Sequence, residues 1–157
     1  MRSARPAAPP FTPVDPSSPE ALAAVGAYFA EIGRRFGYDA TGQADRDAAH
    51  LVPPDGVFVV ALDGGAPVAC GGLQTIGDGV GEIKRMWVHD LWRGAGLGSR
   101  LLRHLEDESR RLGHTVVRLD TNESLTEAIG MYARAGYAPV ERYNDNPWAT
   151  HFFEKRL

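Results

Sequence analysis

The stretch Met86-Trp87-Val88-His89-Asp90-Leu91-Trp92-Arg93-Gly94-Ala95-Gly96-Leu97-Gly98-Ser99 constrains this chain most, because it reads as a strand, a glycine-rich turn and the first turn of a long helix. Glycines at such a junction let the backbone approach a ligand without Cβ clashes, and the helix start aims unpaired N–H groups at that ligand. The arrangement suits a phosphate group, with Arg93 adding a positive charge beside the amides. Downstream, Leu97, Leu101, Leu102, Leu105 and Leu112 fall on one helical face, and Arg100, Arg103, Glu106, Asp107, Arg110 and Arg111 on the other. The turn therefore opens an amphipathic helix, which Gly113 ends.

Two phosphate motifs do not fit. No Lys-Ser or Lys-Thr follows the last glycine, so the turn is not a Walker A loop, and G-x-G-x-G lacks the third glycine of the dinucleotide fingerprint at the required offset.

The remaining elements follow from periodicity. Residues 1–10 are rich in Pro, Ala and Arg and read as a disordered tail, and residues 11–157 as one domain. A short edge strand is expected over 11–15, then a helix from about residue 20 to 35, opened by Ser17, Ser18 and Pro19, with Leu22, Val25, Phe29 and Ile32 on its buried face. Residues 36–45 mix aromatics, acids and glycines, as a loop or short second helix lining a cleft would. Residues 57–62 and 66–73 form a hairpin around Asp63-Gly64-Gly65, and a third strand over 80–88 alternates Glu82, Lys84 and Met86 with Ile83, Arg85 and Trp87. Residues 115–120 form a strand reached by a helical crossover, which implies parallel pairing. A helix around Leu125 to Ala133 and strands over 137–143 and 150–156 complete the chain.

A length of 157 residues suits a single domain, and a formal net charge of −3 with interleaved Arg, Asp and Glu argues against bulk nucleic-acid binding. The single cysteine, Cys70, lies in an apolar run and reads as a buried packing residue, and no Cys-His metal spacing exists. No apolar run reaches the length of a membrane span, so a cytoplasmic protein without a membrane partner is the expectation, with homodimerisation left open. His104 and His114 read as solvated on or just after the long helix, and no histidine is given a role.

The segment Arg93-Gly94-Ala95-Gly96-Leu97-Gly98, with Glu82-Ile83-Lys84-Arg85-Met86-Trp87-Val88 before it and Ala128-Ile129-Gly130-Met131-Tyr132-Ala133-Arg134-Ala135-Gly136-Tyr137 after it, resembles the GNAT family of acyl-CoA-dependent N-acetyltransferases. The resemblance implies an α/β fold: a mixed sheet of about six or seven strands, an antiparallel meander and then a splayed parallel pair, flanked by about four helices. It implies acetyl-CoA as donor, an amine as acceptor, direct attack in a ternary complex and no metal.

Acyl transfer from a thioester needs a held CoA, a deprotonated amine, oxyanion stabilisation and a proton for the thiolate. By resemblance, the pyrophosphate falls to Arg93, Gly94, Ala95, Gly96, Leu97, Gly98 and Ser99, and the pantetheine arm to main-chain groups around Met86, Trp87 and Val88. Strand packing explains Met86 and Val88 equally well. Tyr132 matches the family's general acid, which also faces the CoA sulfur, although an apolar helix stripe holds such a tyrosine for packing alone. Glu82 stands where some members keep a general base, or is a strand-surface carboxylate, and Asn122 is a pantetheine contact or a helix cap. Tyr38, Asp39, Asp45 and the Tyr143 to Trp148 segment are expected to wall an acceptor cleft for a small cationic amine. A protein or peptide amine, or a non-catalytic acyl-CoA-binding module, are the alternatives.

Overall fold

The computed structural model describes residues 8–37 and 48–157. Its strands are β1 (Thr12–Pro13), β2 (Gly56–Asp63), β3 (Ala66–Gly77), β4 (Val80–Val88), β5 (Val116–Thr121), β6 (Ala138–Pro139) and β7 (His151–Arg156). Its helices are α1 (Pro19–Phe36), α2 (Leu97–Arg111) and α3 (Thr126–Arg134). The strands form one seven-stranded sheet in the order β1-β2-β3-β4-β5-β7-β6, and β4 with β5 is its parallel pair. Three α-helices stand among the described residues where about four were expected. The loop or helix expected over 36–45 falls, from residue 38 on, outside the described residues.

The unbroken apolar run of β2 is explained by helices on both faces of the sheet. Val57, Val59 and Ala61 enter a core with Leu97, Leu101, Leu102 and Leu105 of α2, whereas Phe58 and Val60 enter a second core with Ala21, Ala24, Val25 and Phe29 of α1. Cys70 is fully buried in the α1-side core. The β2–β3 hairpin turns through Gly64 and Gly65, both at positive φ, the geometry that the right-handed twist of paired strands prefers.

Ser18 caps α1, its side chain accepting from the Ala21 N–H at 3.2 Å, and Pro19 takes the first helical position. The buried face of α1 is Ala21, Ala24, Val25, Phe29 and Ile32, and the expectation for Leu22 fails: it lies at the edge of that stripe and is 56% exposed. The strand expected over 137–143 is paired only at Ala138 and Pro139, with Val140 adding one bond to Phe152. Beyond it, Asn144 and Asn146 side chains accept from the N–H groups of Asn146 and Trp148, an alternative to the ladder that asparagine favours.

Strict alternation in β4 also fails, for a reason that matters to the site. Gly72 pairs with Lys84 and Cys70 with Trp87, so one residue of β3 faces two of β4, a bulge in which Arg85 takes φ +57°. The Cys70 thiol donates to the Arg85 carbonyl at 3.4 Å across it.

Candidate active site

The glycine-rich turn leaves β4 through a short 3₁₀ turn, Asp90–Trp92, and enters α2 at Gly96. Gly94 and Gly96 sit at φ +76° and +83°, which L side chains rarely adopt, and a Cβ built on either meets nothing within 4 Å. Their role is backbone conformation on an open surface. At Gly98 the constraint is space: a Cβ there would stand 3.3 Å from the Met131 sulfur of α3. No side chain caps α2 and no acid lies in its first turn, so its leading N–H groups are left for another acceptor.

Arg93 is placed beside this turn but is already engaged. Its guanidinium donates to the Val88 carbonyl at 3.0 Å and pairs with Glu31 of α1 and with Asp90. Ala95 is exposed, the Leu97 side chain is buried in the α2-side core, and Ser99 lines a smaller cavity with Leu102 and Arg103.

The parallel pairing of β4 with β5 covers Val80, Gly81 and Glu82 and then stops. From Ile83 onward β4 has no partner on its β5 side, while β5 stays paired with β7 as far as Thr121. The strands splay, and a cavity of about 670 Å³ opens between them. Glu82, Met86, Asn122, Tyr132 and Tyr143 all line it, as does the whole Tyr143 to Trp148 segment. Trp87 and Val88 do not: the Trp87 side chain packs in the α1-side core and Val88 against the α2-side core. Tyr38, Asp39 and Asp45 lie outside the described residues.

Glu82 is 4% exposed, not a surface carboxylate. Gln74 Nε2 donates to it at 2.8 Å, Asn144 Nδ2 at 3.3 Å, and the Lys84 ammonium stands 3.8 Å away. Tyr132 is buried, in edge contact with Tyr137 and tilted against Phe153, and burial together with the Asp120 charge raises its phenol above the ordinary value. A phenol so placed stays protonated and is available as a donor. Asn122 donates to the Trp148 carbonyl at 2.6 Å and accepts from the Ser124 N–H at 2.9 Å, tying the end of β5 to the 143–148 segment. Trp148 in turn stacks on Phe36 of α1, ring centroids 6.1 Å apart.

Two cavity residues central to the site were missed by the sequence reading: Tyr28 and Asp120. Asp120 follows Arg118 by two in β5 and so shares its face, a signal available once the strand was placed. Among the described residues no group of three or more His, Cys, Asp and Glu could hold a metal, and no helix is long and apolar enough to cross a membrane.

A strand-to-helix turn with open amides, a splayed parallel pair and a cavity between them fit a diphosphate carrying an extended amide-bearing arm, as in acyl-CoA. The chain belongs to the acetyltransferase (GNAT) family, whose model matches residues 25–137. An IAA acetyltransferase of Azospirillum brasilense is 35% identical over 133 residues, covering 81% of this chain and 86% of that one. An acetyltransferase structure from Streptococcus agalactiae superposes with a TM-score of 0.82 at 18% identity, covering 96% of this chain and 99% of that one. An aminoglycoside 6'-N-acetyltransferase complexed with coenzyme A superposes at 0.69 with 17% identity, covering 93% and 96%. At such identities the two structures speak for the fold. Family and named relatives together make this chain an N-acetyltransferase that uses an acyl-CoA donor.

Proposed function

We propose that this N-acetyltransferase moves an acetyl group from acetyl-CoA to the primary amine of a small molecule, by direct attack in a ternary complex. The observation that carries the reading is one cavity of about 670 Å³ lined at once by the splayed edge of β4, by Tyr132 and by Glu82. That volume suits a ligand of small-molecule size.

Acetyl-CoA, when bound, supplies the activated acyl group as a thioester. The α2 N-terminus and the turn around Gly94 and Gly96 hold its diphosphate, and β4 main chain around Met86 and Val88 orients its arm. Tyr132 donates a proton to the departing sulfur. Glu82, held by Gln74, takes the proton that an alkylammonium must lose before its nitrogen can attack.

The test is release of free CoA thiol from acetyl-CoA across a panel of small primary amines and a matched panel of peptides. Turnover of small amines is expected. Turnover confined to peptides would replace the small-molecule reading, and acetyl-CoA binding without turnover on either panel would leave a binding module.

A further inference from the structure

Two carboxylate oxygens converge on one nitrogen inside the cavity. The Asn144 side-chain amide donates to Asp120 and, at 3.3 Å, to the Glu82 oxygen Oε2, so a single –NH₂ group bridges two carboxylates from neighbouring strands. The Tyr143 hydroxyl is buried beside this pair, and burial together with the Glu82 charge raises its phenol, so it stays protonated. The outer oxygens of both carboxylates are already served: Glu82 by Gln74 at 2.8 Å and Lys84 at 3.8 Å, Asp120 by Asn146 at 3.2 Å.

The donor in this position does not match what surrounds it. An amide –NH₂ is neutral and spends both N–H groups on the two carboxylates, whereas an alkylammonium brings three N–H groups and a full charge to set against the pair. Asp120 lines the same cavity as Tyr28, Tyr132 and Tyr143, and burial, with the Asp120 charge among its companions, raises all three phenols.

Building on the N-acetyltransferase reading above, we propose that Asp120 and Glu82 jointly seat the acceptor's ammonium at the position now held by the Asn144 amide, which makes the acceptor a primary alkylamine and Asp120 a catalytic residue. Binding of the amine displaces the Asn144 side chain. The carboxylate pair takes the first proton. As the nitrogen–carbonyl bond forms and the carbon–sulfur bond breaks, Tyr132 protonates the sulfur and recovers the nitrogen's second proton. One proton is thereby released to solvent per turnover.

The experiment measures kcat and KM of the full chain for a primary alkylamine and for acetyl-CoA, in wild type, Asp120→Asn, Asp120→Glu and Asn144→Ala, with the melting temperature of each. Asp120→Asn is expected to raise the alkylamine KM about tenfold or more, the scale of a charge-assisted hydrogen bond, with the acetyl-CoA KM within about twofold. Asp120→Glu, which keeps the charge, should recover most of the loss, and Asn144→Ala should not raise the alkylamine KM. An unchanged alkylamine KM in Asp120→Asn, an equal rise in both substrates' KM, or a loss in Asn144→Ala as large as in Asp120→Asn would overturn the seat while the transferase reading stood. Failure of the wild type to bind acetyl-CoA would instead remove that reading itself.

Discussion

The Tyr137 hydroxyl donates a 2.8 Å hydrogen bond to Glu106, a carboxylate of α2 that is 3% exposed although its place in the sequence puts it on the helix's charged face. Lys155 of β7 donates to both oxygens of the same carboxylate, at 3.0 and 3.2 Å. Helix α2, the chain just beyond α3 and the penultimate strand of the sheet are thus joined through one buried charge. Burial and the Glu106 charge hold the Tyr137 phenol well above its ordinary value, so the phenol remains a donor.

Glu106→Ala should therefore destabilise the fold by roughly 3 kcal/mol, because it strands a lysine and a buried phenol without their acceptor. Denaturant unfolding measures this directly. A change below about 0.5 kcal/mol would mean that solvent satisfies Lys155 and Tyr137 without the carboxylate.

At Gly96 the expected effect falls on ligand binding. Gly96→Val forces a β-branched residue to φ +83°, at a cost of about 1–2 kcal/mol, yet its Cβ meets no atom of the free protein. The fold should survive with a modestly lower melting temperature, and the stabilisation expected from acetyl-CoA in the wild type should disappear. An unchanged acetyl-CoA affinity in this variant would remove the turn from the phosphate site.

The contrast between Ile83 and Trp87 shows where sequence reading reaches its limit. Four residues apart, they should share a face, yet Ile83 packs in the α2-side core and Trp87 in the α1-side core. The cause is the Arg85 bulge, and an arginine at positive φ carries no local signal of the kind glycine gives at Gly94 or Gly96. The turn, the amphipathic helix and the crossover were legible because each rests on local period or local backbone freedom. Glu106 was not, since its partners Tyr137 and Lys155 come from the far edge of the sheet, where β6 pairs with β7.

His114 was expected to be solvated and is instead 5% exposed, packed so closely over Gly81 that a Cβ there would stand 2.4 Å from its Nδ1. Thr75 donates its hydroxyl proton to the Asp55 carbonyl, so it accepts from His114 Nε2–H at 2.8 Å; Nδ1 is then the acceptor for Ser109, at 2.7 Å. The neutral ring is fully satisfied, and burial lowers its pKa from the ordinary 6.5. Between the lowered value and 6.5 the unfolded chain binds more protons than the folded one, so stability is complete above 6.5 and falls as pH drops below it. Melting temperatures taken from about pH 7.5 down to about pH 5.5 should decline, and His114→Gln should flatten part of that decline. Identical slopes in the two proteins would exclude His114 as a source.

Tyr132 separates packing from chemistry most cleanly. Its ring is buried between Tyr137 and Phe153, and its phenol, raised by burial and by Asp120, faces the cavity where β4 and β5 part. Tyr132→Phe keeps the ring contacts and removes only the donor, so melting temperature and acetyl-CoA affinity should change little. The thiolate must then leave without its proton, and kcat should fall on the order of a hundredfold with the amine KM nearly constant. Because the ordinary phenol pKa of 10.0 is raised further, the wild-type donor should stay loaded throughout the neutral range, and any alkaline fall in rate should lie above it. Wild-type turnover in Tyr132→Phe would leave this tyrosine with its packing role alone.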